Sequence, residues 1–541
     1  MLGLPGTVSR GESIDPAGPR IASVQSTYSS VDRRAAGQGN YSRSMTGNPN
    51  IASWLTDRAA TDPSLPAIKQ GEVILTYSGL DNAAARTATL LAEHGVTAGD
   101  RVALIMPNVA YFPVAYYAIL RLGAIVVPMN PLLKAGEISF TFDDAGIKVA
   151  VVFAMFEPEA SKAASTTGTD VIVVTPSEFD HELADIVART EVVHRSEDDT
   201  AVLLYTSGTT GTPKGAELSH RNLSSNVTTS RETLMPLGPG DVVFGGLPLF
   251  HSFGQTVALN AAIAAGACLT LLPRFDGEQA LELVERDRVT LFLGVPSMYV
   301  ALLAVKDKQR FNTSTLRQAA SGGASLPVEV LHGVEQAFGF KLIEGYGLSE
   351  TSPIASFNHP DRPTKPGSVG TPIRGCEFEL RDADDRRVAD GEIGEIVIRG
   401  ENVMKGYWGQ PEATAEAMRG GWFHTGDLAT RDADGYYFIV DRVKDLIIRN
   451  GFNVYPREVE EVLYAHPDVA EAAVFGVPDA THGEEVAALV TLKEGGTVTE
   501  DQLRDWVKEQ IAVYKYPRIV RFGPLPKGPT GKILKREIKF G

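Results

Sequence analysis

Cysteine is nearly absent from this sequence: two among 541 residues, Cys268 and Cys376, far apart and set in apolar or Gly-rich surroundings. That excludes a disulfide framework, and without a CxxC or Cys/His spacing nothing suggests zinc either. The pair reads as two inert, buried thiols in a reducing, cytoplasmic setting. Long hydrophobic runs are missing too. The nearest, TVALNAAIAAGACLTLLP at 256–273, is dominated by Ala and interrupted by Asn260 and Gly266, so it reads as a buried helix followed by a strand. The apolar stretch 114–127 is cut by Arg121. No transmembrane segment is expected, while peripheral membrane contact and oligomeric state stay open. Positive charge is in deficit: a net −16 argues against general affinity for nucleic acid or anionic lipid, so polyanions must be met by local clusters of donors. The first 48 residues, rich in Gly, Ser and Arg, lack hydrophobic periodicity and the apolar core of a secretory signal. They are expected to form a disordered leader, with Met45 an alternative start.

What is present is ordinary globular material, 43% hydrophobic and 22% charged, enough for a large core. The length suits three to four domain-sized units, or one large unit and a smaller one. From Ile51 onward helical and strand-like patterns alternate. Leu80, Ala83, Ala84, Ala88, Leu90 and Leu91 share one face of a helix ending near Gly95, followed by a strand at 101–107, a helix at 112–122 and a strand at 124–129. This alternation predicts an α/β fold with parallel-rich sheets flanked by helices. Near residue 380 the texture changes to short β runs separated by Asp/Gly turns, a β-rich subdomain. Beyond a boundary near Asp441 a compact βαβ-like tail is expected, with helices at 457–465 and 501–510. The domains are therefore 49–440 and a small α+β unit at 441–541.

The sharpest local feature is YTSGTTGTPKG at 205–215, following the apolar strand-like run 201–205. Gly208, Gly211 and Gly215 let backbone N–H groups converge on an anion; Thr206, Ser207, Thr209, Thr210 and Thr212 add hydroxyls, and Lys214 supplies charge. That chemistry suits a polyphosphate. It is not a P-loop, because Pro213 stands where GxxxxGK[ST] needs Gly and Gly215 where it needs Ser or Thr.

This loop resembles the signature of the acyl-adenylate-forming enzymes, which include acyl-CoA synthetases, peptide-synthetase adenylation domains and firefly luciferase. Further elements follow in the family's order over residues 50–541. GYGLSET at 345–351 resembles the second nucleotide element. The resemblance implies that Gly345, Tyr346, Gly347 and Ser349 border the nucleotide, with Tyr346 stacked on adenine, and that Glu350, with Thr206, holds Mg2+ on the ATP phosphates. Gly322, Gly323 and Ala324 would face adenine with their backbone. Asp427 in TGDL would accept the ribose hydroxyls, and Arg442 would add donors. Lys444 falls on the hinge position of a mobile small domain. Gly451 falls beside the thiol's approach, and the family's usual second glycine there is replaced by Asn450. Lys532 in the 526–537 segment corresponds to the mobile lysine that meets the acyl carboxylate and the α-phosphate. His251 in LPLFHSFG, between Phe250 and Phe253, sits at the acyl-pocket entrance and is read as a gate.

The resemblance thus implies an acid–thiol ligase with ATP, Mg2+ and coenzyme A as cofactors and co-substrates. A carboxylate attacks the α-phosphorus, pyrophosphate leaves, and the thiol then displaces AMP. No protein nucleophile is needed, in keeping with the lack of a GxSxG motif. The 250–266 segment is similar to bacterial medium- or long-chain fatty-acid–CoA ligases. An aryl acid is the runner-up, and a carrier protein is an alternative acceptor. A luciferase-like oxygenase would need a specialised acceptor, and a degenerate regulatory protein is less in keeping with the intact Lys214, Glu350, Asp427, Arg442 and Lys532.

Overall fold

A computed structural model describes residues 47–206, 213–479 and 481–539. The expected leader and its alternative start at Met45 lie outside the described residues, apart from the leader's last two positions.

Two large sheets carry the bulk of the chain. In one, Asp170–Val174, Ile147–Phe153, Arg101–Ile105, Ile125–Met129 and Thr200–Thr206 run parallel in that spatial order, and Lys214–Ser219 and Gly406–Tyr407 continue the sheet antiparallel. In the other, six parallel strands run from Pro66–Gln70 through Cys268–Leu271, Val242–Gly245, Leu291–Gly294 and Gln318–Ser321 to Leu342–Gly347, with antiparallel strands at both edges. Strands such as Ile125–Met129 are buried along their whole length, as expected where helices cover both faces of a parallel sheet.

The helices obey their apolar spacing. In Tyr77–Glu93, Thr76 caps the first turn by accepting from Gly79 N, and Leu80, Ala84, Ala88, Leu90 and Leu91 face the core. The 256–273 segment is helix then strand as anticipated, but the helix is wound as a π-helix over Phe253–Asn260 before relaxing to α over Ala261–Ala265. No periodicity rule signals that wider winding. Among the described residues no helix is long and apolar enough to cross a membrane.

Strands Cys376–Arg381, Gly394–Gly400, Phe423–Arg431 and Tyr437–Arg442 form the antiparallel subdomain. The C-terminal segment has its own core, including Ile447, Val459, Leu463, Val474, Val486 and Leu503. Its sheet contains a βαβ unit, Gly483–Leu492, helix Glu500–Gln510 and Ile519–Phe522, and adds an antiparallel hairpin to it. Val469–Asp479 and Gly483–Leu492 form a long antiparallel hairpin, and only Ile519–Phe522, reached through helix Glu500–Gln510, adds in parallel.

Candidate active site

The Gly/Thr/Ser loop connects two antiparallel strands whose last facing pair is Thr206 and Lys214. Ser207, Gly208, Thr209, Thr210 and Gly211, with Thr212, lie outside the described residues. At the loop's exit Gly215 faces Tyr205, and a Cβ there would stand 3.1 Å from the Tyr205 ring, so glycine lets the two strands close. Tyr205 is fixed in turn by donating its hydroxyl to Asp144 Oδ2 at 2.5 Å.

Segment 405–408 is zipped onto the outgoing strand: Lys405 N donates to Glu217 O at 2.9 Å and Trp408 N to Gly215 O at 2.8 Å. This places Tyr407 between two expected site residues. The Lys214 ammonium lies 5.1 Å from the centroid of the Tyr407 ring, a cation–π distance, while the Tyr407 hydroxyl donates to Glu350 Oε1 at 3.1 Å. Thr206 Oγ1 donates to the same oxygen at 3.4 Å. Glu350 sits in the short turn Ser349–Thr351, and burial raises its pKa above the usual carboxylate value. A buried carboxylate beside a threonine hydroxyl offers hard oxygen donors, which fits a magnesium ion that takes its remaining ligands from phosphate and water.

A second cluster forms where Asp427 and Arg442 face each other across neighbouring strands. Arg442 Nε pairs with Asp427 Oδ1 at 2.9 Å, and the Tyr346 hydroxyl donates to Asp427 Oδ2 at 2.6 Å. Asp427 is buried, and its charge raises the pKa of Arg442. Gly345 and Gly347 are needed where they stand, since a Cβ would meet the Phe357 ring at 2.4 Å and Pro353 O at 1.7 Å.

Lys532 approaches from the C-terminal segment. Ser297 Oγ donates to Gly531 O at 2.9 Å, anchoring the loop, and the Lys532 chain passes Gly323, where an added Cβ would lie 3.3 Å from its Cε. Burial first, then the positive charge of Arg442, lowers the Lys532 pKa to about 8, against the opposing pull of Asp427 and Glu350. Lys532 therefore stands in the field of both clusters. Gly322 packs against Phe253, at 3.3 Å from a would-be Cβ, whereas Ala324 is exposed. His251 is pushed down to about 3 by burial and by Lys532, too weak a base to abstract protons near neutrality.

Lys214, Thr206, Glu350, Tyr346, Asp427, Arg442, Gly323, His251 and Lys532 thus converge. Lys444 and Gly451 stand apart. Lys444 lies exposed in the turn after Tyr437–Arg442. Asn450 and Gly451 form the two-residue turn of a hairpin, with φ of 51° and 76°. Both angles are left-handed, as a type I′ turn requires, and Asn tolerates that region better than other non-glycine residues. The departure from two glycines is therefore accommodated. Sequence reading missed Tyr407, Ser297 and Arg457; the only local signal for the first was an aromatic after Gly406.

The AMP-binding enzyme family matches residues 55–408, and the AMP-binding enzyme C-terminal domain matches residues 458–532. The chain belongs to the AMP-binding enzymes, and it is an acid–thiol ligase that uses ATP, Mg2+ and coenzyme A. It is 37% identical to a long-chain-fatty-acid–CoA ligase of Bacillus subtilis (strain 168), over 91% of this chain and 94% of that protein. It is equally 37% identical to a feruloyl-CoA synthase of an Amycolatopsis species, over 91% of this chain and 99% of that protein. Among solved structures, ATP-bound MatB from Rhodopseudomonas palustris superposes with a TM-score of 0.84 at 35% identity, covering 90% of this chain and 98% of that one.

Proposed function

We propose that the protein activates an acid with an apolar body, first of all a medium- or long-chain fatty acid, and delivers it to CoA in the cytoplasm. The observation that carries this reading is the position of Lys532, held against Gly323 by the Ser297–Gly531 hydrogen bond and within the fields of Asp427 and Glu350. Lys214 and the loop hydroxyls grip the β- and γ-phosphates. Glu350 and Thr206 would hold a magnesium ion, which would supply charge neutralisation to the phosphates. Asp427 and Arg442 fix the ribose, and the backbone of Gly322 and Gly323 borders the adenine beside Tyr346. Lys532 meets the carboxylate and α-phosphate, where its charge stabilises the pentavalent centre. A carboxylate oxygen bonds to the α-phosphorus as pyrophosphate leaves. In the second step the thiol sulfur bonds to the acyl carbon and AMP leaves. Between the steps the small domain, divided from the large one near Asp441, turns about Lys444 and brings Gly451 to the thiol's path. The apolar, fully buried helix beyond His251, from Val257 to Leu259, supports a hydrocarbon-binding site. An aryl acid is the second reading, favoured by the feruloyl-CoA synthase match at equal identity.

The test is CoA-dependent AMP release across fatty acids of graded length and a set of aryl acids, with both half-reactions followed in Lys532→Ala. Adenylate formation is expected to be lost in that variant while thioester formation from supplied acyl-AMP persists. Equal loss of both would remove the role given to Lys532, and AMP release dependent on a carrier protein instead of CoA would move the acceptor.

A further inference from the structure

The carboxamide of Gln255 is wholly buried, and among the described residues neither its Oε1 nor its Nε2 has a hydrogen-bond partner. Other buried amides of this chain are tied down. Asn108 donates to Gly245 O and Leu247 O at 3.0 and 2.7 Å, Asn226 donates to Ile354 O at 2.7 Å, and Asn260 bonds Tyr116 and Tyr117 at 3.0 and 2.9 Å. Folded proteins rarely leave both ends of an enclosed amide unpaired, because the lost hydration is not replaced. A missing partner is therefore expected at Gln255.

Its place in the fold says what that partner is. Gln255 N donates to His251 O at 2.9 Å, so the two residues lie one turn apart and share a helix face. His251 itself feels the charge of Lys532, and Phe253 packs at Gly322. Gln255 thus follows His251 on the same face of the helix. It belongs to the π-wound stretch, a winding that often marks a functional site. Three hydroxyls nearby in the chain or beside Gly322, on Ser252, Thr256 and Ser321, are likewise buried without a partner. Beyond Thr256 the helix continues through the apolar Val257, Ala258 and Leu259.

We infer that Gln255 lines the acyl site and binds a polar group, a hydroxyl, carbonyl or ring amine, carried on the otherwise apolar body of the acid. The amide can donate and accept at once, which suits each of these groups. This narrows the acid from a plain hydrocarbon chain to a substituted one, and it rests on the apolar-bodied acid proposed above.

The test uses matched acids: cinnamate against 4-hydroxycinnamate, and decanoate against its 3-, 6- and 10-hydroxy and 3-oxo derivatives. CoA-dependent AMP release is measured for each with the full chain and with Gln255→Met, which keeps the side chain's length and shape. At least one polar acid is expected to exceed its parent at least tenfold in kcat/KM, and Gln255→Met should erase that ratio while leaving the KM for ATP unchanged. A preference for every unsubstituted parent in the unaltered protein, or ratios untouched by Gln255→Met, would overturn the inference and mark Gln255 as holding only internal water. Silence with all acids would instead overturn the apolar-bodied acid proposed above.

Discussion

Burial sets the charge states of the side chains around the site, and Glu344 shows this most plainly. It is enclosed at the strand that leads into the second nucleotide element, with Oε1 accepting from Leu326 N at 2.9 Å and Oε2 without a partner among the described residues. Burial pushes its pKa from 4.5 to about 7, with Glu461 adding to the rise and Arg457 opposing it. The folded state therefore keeps a proton that the unfolded chain has lost between these values. Stability is full below about 4.5 and declines as pH rises through about 7, by about 3 kcal/mol at 1.36 kcal/mol per unit. Replacing Glu344 with Gln should flatten this dependence and raise Tm at pH 8 relative to the unaltered protein, with little change at pH 4.5. Thermal unfolding across that range checks it; parallel curves for the two proteins would show that Glu344 does not titrate there. Neither Glu344 nor Tyr407 was legible in the sequence as a site residue. Their roles come from long-range enclosure and from a two-residue strand pairing, which no local pattern encodes.

At the scale of elements, legibility tracked how locally each element is determined. The helix Tyr77–Glu93 and the strands around it follow from apolar spacing and a capping threonine, and they stand where the pattern puts them. The π-winding after His251 and the antiparallel hairpin of the small domain both escaped the pattern. So did the clasp at the first turn of helix Pro456–Tyr464. There Asp441 Oδ2 accepts from Arg457 N at 3.2 Å, capping the helix from beyond its own sequence. The Arg457 guanidinium donates to Ile439 O at 2.9 Å and to Gly367 O at 3.3 Å, and it pairs with Glu461 at 3.7 Å. Glu461 Oε2 in turn accepts from Val328 N at 3.5 Å. These contacts join the helix to the large domain in the arrangement that seats Lys532. Charge-assisted bonds of this kind are worth about 1.5–3 kcal/mol each, so Arg457→Ala should slow adenylate formation about tenfold or more. Thioester formation from supplied acyl-AMP should change little, because the clasp serves only the first arrangement. Equal slowing of both half-reactions would indicate a general loss of structure instead.

For the whole molecule, the question is how one chain serves two reactions at one site. In the arrangement seen here Lys532 lies against Gly323, and Gly451 lies in an open hairpin with nothing within 4 Å of a would-be Cβ. The proposed reaction asks for the lysine in its first step and a thiol path beside Gly451 in its second, which is the physical argument for a hinge. The turn at 443–445 is the proposed pivot. Val443 N donates to Gly426 O and Asp445 N to Arg442 O, both at 3.0 Å, while among the described residues Lys444 N has no backbone partner. A proline at 444 therefore removes no backbone hydrogen bond from the present arrangement but locks φ near −65° and forbids the rotation a domain swing demands. Lys444→Pro is expected to keep acid-dependent ATP–pyrophosphate exchange within about twofold and to cut thioester formation from acyl-AMP by at least about a hundredfold, a barrier increase of about 2.7 kcal/mol. If thioester formation proceeds at the unaltered rate, residue 444 is not the pivot. Loss of the exchange reaction along with it would show that proline disturbs the first arrangement too, and the hinge would then have to be sought elsewhere between Asp441 and Ile447.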